Sequence, residues 1–460
     1  MFKIFSLHIS QWKLLLLVGD LACYVISVIM ALYLYSYTSN NILEYLFANG
    51  VPFIIIGLIY FTVLFMADLY NYLKDYRQAL TIGNVLIASW LGTIVVVTVF
   101  YFPMRWSFIG RSIILIQALA FSLMLASWRF TFSAIALPER LQKPILIIGA
   151  GKSGRHLLNS IRQRPGCGFS VAGLVDDDPE KAGTEVDGMK VLGDSSQLPA
   201  LIPEHQISLA VVAITGKKSP ELLNNLILVS WNECQLIDMP TIYEFLTAKL
   251  PTEHISDDWI FDWNINKAKI YYRRVKRFID LTLAMIFLVI ASPLMLLVPL
   301  IIKIDSRGPV FFRQERLGQK GKTFLILKFR TMIENAEECG PLWTINKDPR
   351  ITRVGTIIRK LRLDELPQLI NIFKGEMSFI GPRPLAHCDF MGNIRYYNYR
   401  LLVKPGITGW AQVMYPEGLA AENMPEKLKY DLYYIKNLGF LLDMAILLKT
   451  VRIVVFGRGR

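Results

Sequence analysis

Leu361-Arg362-Leu363-Asp364-Glu365-Leu366-Pro367-Gln368-Leu369 sets two adjacent carboxylates in an apolar frame, with Arg359 and Lys360 just upstream. Neighbouring carboxylates repel, so they persist in water, on a cation, or beside a substrate that uses them. Pro367 cannot sit deep inside a helix but fits its first turn. Asp364 and Glu365 therefore fall at or just before a helix start, with Leu366, Leu369, Ile370 and Phe373 on the buried face. Free N–H groups and the helix dipole favour anions at such a start. A carboxylate there, among arginines, suits chemistry on a phosphate. A helix-capping acid pair with solvated basic neighbours fits this stretch equally well.

A chain of 460 residues holds more than one domain. At 53% hydrophobic it is too apolar for a soluble enzyme of this size. The net charge of +13 points to anionic lipid, phosphorylated substrates or nucleic acid. The long apolar runs put lipid headgroups and phosphates first and leave nucleic acid out of the expected partners. Cys23, Cys167, Cys234, Cys339 and Cys388 show no pair spacing, and the histidines are dispersed. Neither a disulfide framework nor a zinc or histidine metal centre is indicated. The first apolar run is too long for a signal-peptide core.

Four apolar runs, 14–35, 51–70, 85–102 and 108–136, are each long enough, or nearly so, to cross a hydrocarbon layer. Aromatics such as Tyr33, Tyr35, Tyr70 and Tyr72 mark their ends. Lys3 and Lys13 precede the first run, 36–50 carries no Lys or Arg, Lys74 and Arg77 follow the second, and Arg129, Arg140 and Lys143 end the fourth. This charge bias puts the N-terminus and everything after the fourth run in the cytoplasm, with Arg105 and Arg111 counting slightly against it.

Residues 144–148 then read as a buried strand running into Gly149-Ala150-Gly151-Lys152-Ser153-Gly154 and a helix. A second strand ends at Asp176, and 209–214 and 235–238 look like later strands. Gly149, Gly151, Gly154 and Asp176 fit a Rossmann-type nucleotide site, although such modules also persist as regulatory or structural domains. A polar connector follows. Arg273, Arg274, Lys276 and Arg277 then introduce an apolar run closed by Lys303 and Arg307, with Ser292-Pro293 in its middle. Basic charge on both flanks predicts a helix that breaks at Ser292-Pro293, dips into the membrane and returns to the same face. A kinked fifth span is the alternative. Beyond it come strands at 310–312 and 323–330 around the turn 318–321, and Gly381-Pro382-Arg383-Pro384, whose prolines preset Arg383 for a bidentate phosphate contact. A tyrosine-rich helix carries Asp431, and an apolar tail, 438–457, reads as lying in the membrane interface.

Lys328-Phe329-Arg330-Thr331-Met332, Leu363 to Gln368, Gly381 to Pro384 and Lys404-Pro405-Gly406-Ile407-Thr408-Gly409-Trp410-Ala411-Gln412-Val413 come in that order after the basic–apolar segment. Together they resemble the bacterial monotopic phosphoglycosyl transferases, or polyprenyl-phosphate glycosylphosphotransferases, over residues 273–460. The four spans and Rossmann-like module resemble the large members that initiate exopolysaccharide or O-antigen repeat units. The ending resembles an exosortase-linked branch. The resemblance implies transfer of a sugar-1-phosphate from a UDP-sugar to undecaprenyl phosphate, with release of UMP and with Mg2+. It makes Asp364 the nucleophile that holds a phosphosugar covalently, and gives Glu365 the positioning of magnesium or proton handling. Arg359, Arg383 and Lys328 match family cations near the substrate phosphates. Asp431 matches a carboxylate near metal and nucleotide, so Asp364, Glu365 and Asp431 form the expected magnesium set. One departure is Met414-Tyr415-Pro416, where many members have Asn-Gly-Arg.

The expected fold is thus a mixed membrane protein. Residues 1–137 form a four-helix transmembrane bundle, 138–250 a Rossmann-like α/β cytoplasmic domain, 251–275 a linker, and 276–460 an α+β monotopic catalytic domain with a re-entrant helix at 276–304. Inner-membrane lipid is an expected partner, and a homodimer and downstream glycosyltransferases are compatible with this reading. Two other classes stay open. Tyr272 and Lys276 have the Tyr-x-x-x-Lys spacing of an NAD-dependent nucleotide-sugar dehydratase, and a non-enzymatic polysaccharide-assembly scaffold would need the acid pair only as a cap.

Overall fold

The computed structural model describes residues 2–4, 7–9, 11–35, 45, 49–67, 69–70, 76–101, 110–135, 142–164, 167–216, 218–231, 234–254, 267–334, 348–384, 396–415 and 423–456. Lys74, Arg105, Arg140, the connector residues 255–266, Cys339, Cys388, Pro416 and the closing 457–460 lie outside them. Two compact units are present, essentially His8–Ile242 and Tyr243–Arg460.

The first unit begins with helices α1 (Gln11–Tyr35), α2 (Gly50–Met66), α3 (Ala79–Tyr101) and α4 (Arg111–Ile135). All but α2, which has 17 residues, are long and apolar enough to cross a membrane by length and composition. Leu15, Val18, Ile54, Leu58, Ile94 and Leu119 point outward, whereas Ser27, Ser89, Gln117 and Ser122 are buried. Apolar outside and polar inside suits a lipid environment. Arg129, expected as a loop charge closing the fourth span, is instead 0% exposed. It donates to both oxygens of Asp20, at 3.1 and 2.5 Å, to Tyr76 Oη at 2.8 Å and to the Leu69 carbonyl. A buried guanidinium needs that full set of acceptors, so Arg129 ties α1 and α4 to the α2–α3 connection.

The polar part of this unit is a six-stranded sheet. Its strands are β1 (Lys143–Ile148), β2 (Phe169–Val175), β3 (Glu185–Val186), β4 (Met189–Gly193), β5 (Leu209–Val212) and β6 (Gln235–Asp238), in the order β3-β4-β2-β1-β5-β6. Apart from the antiparallel β3–β4 pair it is parallel. Helix α5 (Lys152–Arg162) follows the glycine turn as expected. Gly149 has φ +110°, and a Cβ on Gly154 would sit 1.9 Å from the Gly149 carbonyl oxygen, so only glycine closes this turn. Helices α6 (Leu198–Glu204) and α7 (Pro220–Trp231) pack over Leu146, Val175 and Ala210.

The second unit begins, apart from residues 5–7, at Tyr243. Helix α8 (Met239–Thr247) ends within it, Glu244 accepts from Lys436 at 2.5 Å, and Leu250 packs with Trp410, Leu428 and Tyr434. Helix α9 (Lys267–Asp305) runs unbroken through Pro293 and Pro299, so the break in secondary structure expected at Ser292-Pro293 is corrected to continuous helix. A proline removes one N–H and crowds one carbonyl, which bends a helix without having to end it. The hairpin β7 (Phe311–Leu317)/β8 (Thr323–Phe329) turns at 318–321 as expected. It is followed by α10 (Arg353–Lys360), α11 (Gln368–Lys374), β9 (Ser378–Ile380), β10 (Gly406–Thr408), α12 (Trp410–Met414), α13 (Met424–Lys436) and α14 (Phe440–Phe456).

Candidate active site

The acid pair sits where the sequence places it, in a 3-10 turn, Leu363–Glu365, directly before α11. The buried face of α11 differs from expectation. Leu369 and Ile372 are buried, whereas Phe373 is 44% exposed. The buried residues Gln368, Leu369, Asn371 and Ile372 share one face at about 100° per residue, and Phe373 falls outside it. Asn371, not foreseen from the sequence, docks α11 on β8. Its side chain accepts from Leu327 N at 3.1 Å and donates to the Leu325 carbonyl at 2.8 Å. This backbone-like grip sets Lys328, the next residue of β8, against the acid pair.

Arg383 arrives from the other side. Parallel pairing of β9 with β10 holds its turn, since Gly381 N donates to Thr408 O at 2.8 Å and Gly406 N to Pro382 O at 2.9 Å. Its guanidinium lies 3.1 Å from Glu365 Oε1, and Lys328 Nζ lies 3.9 Å from the same oxygen. Arg359, at the end of α10, donates to Thr331 Oγ1 at 2.8 Å.

The two carboxylates therefore differ. Burial pushes Glu365 upward, but Arg383, Lys328 and Arg362 overcome it and hold its carboxyl below the usual value. Burial raises Asp364, and the Glu365 charge adds to it against the pull of Lys328, Arg359 and Arg362. Among the described residues Asp364 Oδ1 is buried without a hydrogen-bond partner. Burial and Arg383 push Lys328 down to about 8. One carboxylate is held ionised by its cations while the other presents an unsatisfied oxygen, an arrangement that awaits a cationic or electrophilic ligand.

Asp431 is engaged by Arg400. It is 3% exposed and accepts from Arg400 Nε at 2.8 Å. Arg400 Nη2 donates to the Arg383 carbonyl at 2.8 Å, so the pair braces the turn that carries Arg383. Arg400 has no local sequence signature; only the meeting of α13 with the Arg383 turn reveals it. Among the described residues no group of three or more His, Cys, Asp or Glu is gathered for a metal, so the expected Asp364–Glu365–Asp431 set is not formed. The acid pair alone still fits magnesium, which takes one or two carboxylates and fills its shell with substrate phosphates and water. The unpartnered Asp364 oxygen is the atom that supports this fit.

Tyr272 and Lys276 both bond to Asp443 of α14, which also accepts from Tyr434 at 2.9 Å. That network fastens α14 to the basic collar of α9 and leaves no Tyr–Lys pair for dehydratase chemistry. At the glycine turn, Asp176 Oδ2 accepts from Ala150 N at 2.7 Å. Its Oδ1 accepts from Asp178 N at 3.0 Å and faces Lys181 at 3.4 Å. Gly149, Gly151, Gly154 and Asp176 are brought together, with both oxygens of the acid engaged by the chain itself.

The family model for bacterial sugar transferases matches residues 271–457, and one for a CoA-binding domain matches 66–231. The chain is 41% identical over 234 residues to a UDP-N-acetylgalactosamine-undecaprenyl-phosphate N-acetylgalactosaminephosphotransferase of Aeromonas hydrophila, covering 49% of this chain and 55% of that protein. It is 31% identical over 315 residues to the UDP-glucose:undecaprenyl-phosphate glucose-1-phosphate transferase of Escherichia coli (strain K12), covering 67% of each. A UDP-galactose-lipid carrier transferase of Erwinia amylovora is 30% identical over 341 residues, covering 68% of each. Among solved structures, UDP-D-quinovosamine 4-dehydrogenase from Vibrio fischeri covers 25% of this chain and 96% of its own, at 25% identity and a TM-score of 0.21, too low to carry weight here.

Proposed function

The chain belongs to the bacterial sugar transferase family, and from that membership we propose that it moves a sugar-1-phosphate from a UDP-sugar to undecaprenyl phosphate and releases UMP. The observation that carries the reading is the buried, unpartnered Asp364 Oδ1 beside a Glu365 held ionised by Arg383 and Lys328. Asp364 attacks the sugar-proximal phosphorus. An Asp364–phosphorus bond forms, the bond from that phosphorus to the bridging oxygen breaks, and UMP leaves with the bridging oxygen. A phosphate oxygen of undecaprenyl phosphate then attacks the same phosphorus and frees the Asp364 carboxylate. Two steps let a water-soluble and a lipid substrate use one site in turn.

Lys328, Arg359 and Arg383 offset the charge that builds on the phosphoryl oxygens, which makes a carboxylate a workable nucleophile. Magnesium, held by Asp364 or Glu365 with substrate phosphates, would add further charge compensation. Arg400 and Asp431 act through Arg383 as positioning residues.

The bearing of α9 on the second unit supports a monotopic placement. Arg277 donates to the Ile372 and Phe373 carbonyls, Ala284 and Ala291 pack on Phe324 and Leu369, Val298 and Ile302 on Phe329 and Ile358, and Asp305 accepts from Val354 N. A straight helix of 39 residues would be about 58 Å long, roughly twice the hydrocarbon thickness. A polar domain gripping α9 near both ends would have to straddle the bilayer if the helix crossed it, which supports both ends lying on one face. Phe278, Val289, Leu296 and Ile304, which are exposed, then meet lipid. The exposed stripe Phe440, Met444, Leu447, Val451 and Val454 makes α14 an interfacial helix. We place the catalytic unit on the cytoplasmic face of the inner membrane, where UDP-sugars are made, as the first membrane step of exopolysaccharide or O-antigen assembly, in the exosortase-linked branch.

The test is UMP release from a panel of UDP-sugars by the purified full chain with magnesium and undecaprenyl phosphate. UMP from one sugar, lost in Asp364→Asn, supports the reading and names the sugar. UMP from none overturns it.

A further inference from the structure

Helix α10 ends at Lys360, Leu361 caps it, and Arg362 follows with φ 58° and ψ 20°. The residue after a helix cap is commonly glycine in this left-handed conformation, because a Cβ is strained there. The backbone bonds of Arg362 are ones glycine would make equally well. Its N–H donates to Arg359 O at 3.2 Å and its carbonyl accepts from Glu365 N at 3.3 Å. The side chain is exposed, and among the described residues it makes no hydrogen bond or ion pair. The other cations around the acid pair are engaged: Arg383 and Lys328 with Glu365, and Arg359 with Thr331. Only Leu363 separates Arg362 from Asp364, and its charge acts on both carboxylates.

Strain kept at a position beside the nucleophile, for a side chain with no internal partner, calls for an external one. We infer that Arg362 is a further substrate-binding residue, whose guanidinium takes a phosphate oxygen of the substrate as it reaches Asp364. This rests on the transferase reading. The ligand is a phosphate anion from one of two sources, the diphosphate of the UDP-sugar or the phosphate of the lipid acceptor. Arginine suits it because its fork stays charged and can donate two parallel bonds.

Arg362→Gly and Arg362→Asn separate strain from function, since both residues accept the left-handed backbone without the charge. The glycine variant should melt at or above the wild-type temperature and yet lose roughly tenfold to a hundredfold in kcat/KM, the size of one charge-assisted contact. Arg362→Lys should recover part of that loss. A raised KM for the UDP-sugar assigns the contact to the donor diphosphate, and a raised KM for undecaprenyl phosphate assigns it to the acceptor. Wild-type kcat and both KM values in the glycine variant overturn the inference, as does equal activity of the lysine and asparagine variants should the glycine chain melt early. UMP release by wild type and its loss in Asp364→Asn are scored separately, so failure of the transferase reading is not confused with failure at Arg362.

Discussion

The glycine turn at 149–154 and the acid pair at 364–365 each set a carboxylate near a helix start, and they differ in what those carboxylates do. Asp176 spends both oxygens on the chain itself, on Ala150 N, Asp178 N and Lys181. Asp364 keeps a buried oxygen with no partner, while its neighbour Glu365 absorbs Arg383 and Lys328. A satisfied acid stabilises its loop, whereas an unsatisfied buried acid costs stability and persists where a ligand completes it. The contrast supports the proposed chemistry at Asp364 in the second unit.

Asp364→Asn should break this contrast most strongly, with UMP release falling on the order of 10⁴-fold, as for loss of a nucleophile. Arg383→Ala should lower kcat/KM for the UDP-sugar by roughly 10² to 10³-fold in the same assay, because a preset donor to the phosphoryl oxygens is gone. Arg400→Lys, which keeps a charge for Asp431 but drops the bond to the Arg383 carbonyl, should cost about tenfold in kcat/KM with the fold retained by circular dichroism. Lys328, at about 8, loses its charge as pH rises, so wild-type kcat/KM should fall above that pH. In Lys328→Arg, whose guanidinium stays charged, that basic limb should vanish from the pH profile. Asp176→Asn should leave UMP release within about twofold of wild type, while a thermal melt of the full chain shifts down through the lost charge-assisted bond to Ala150 N. A large activity loss in Asp176→Asn would erase the contrast.

The alternation of apolar runs and turn residues made the elements legible: the long N-terminal helices, the strand–glycine turn–helix unit, the 323–330 strand and the helix start after Pro367. Errors arose where position along the chain stood in for position in space. Arg129 looked like a loop charge because it closes an apolar run, yet Asp20 and Tyr76 fold over it. Pro293 looked like a break because it lacks an N–H, yet the helix continues past it. The family resemblance put Asp431 in a magnesium set, and the structure adds what no sequence pattern shows, its bond from Arg400.

Period and turn chemistry are local properties, so the sequence alone determined the elements, the membrane character and the adjacency of Asp364 and Glu365. Which cation meets which carboxylate depends on distances between residues far apart in the chain. Only the tertiary structure decided that Glu365 takes Arg383 and Lys328, that Asp431 and Arg400 brace the Arg383 turn, and that Asp364 Oδ1 is left buried and unpaired. Electrostatic pairing falls steeply with separation and desolvation sets its sign, and neither quantity exists until the chain has packed.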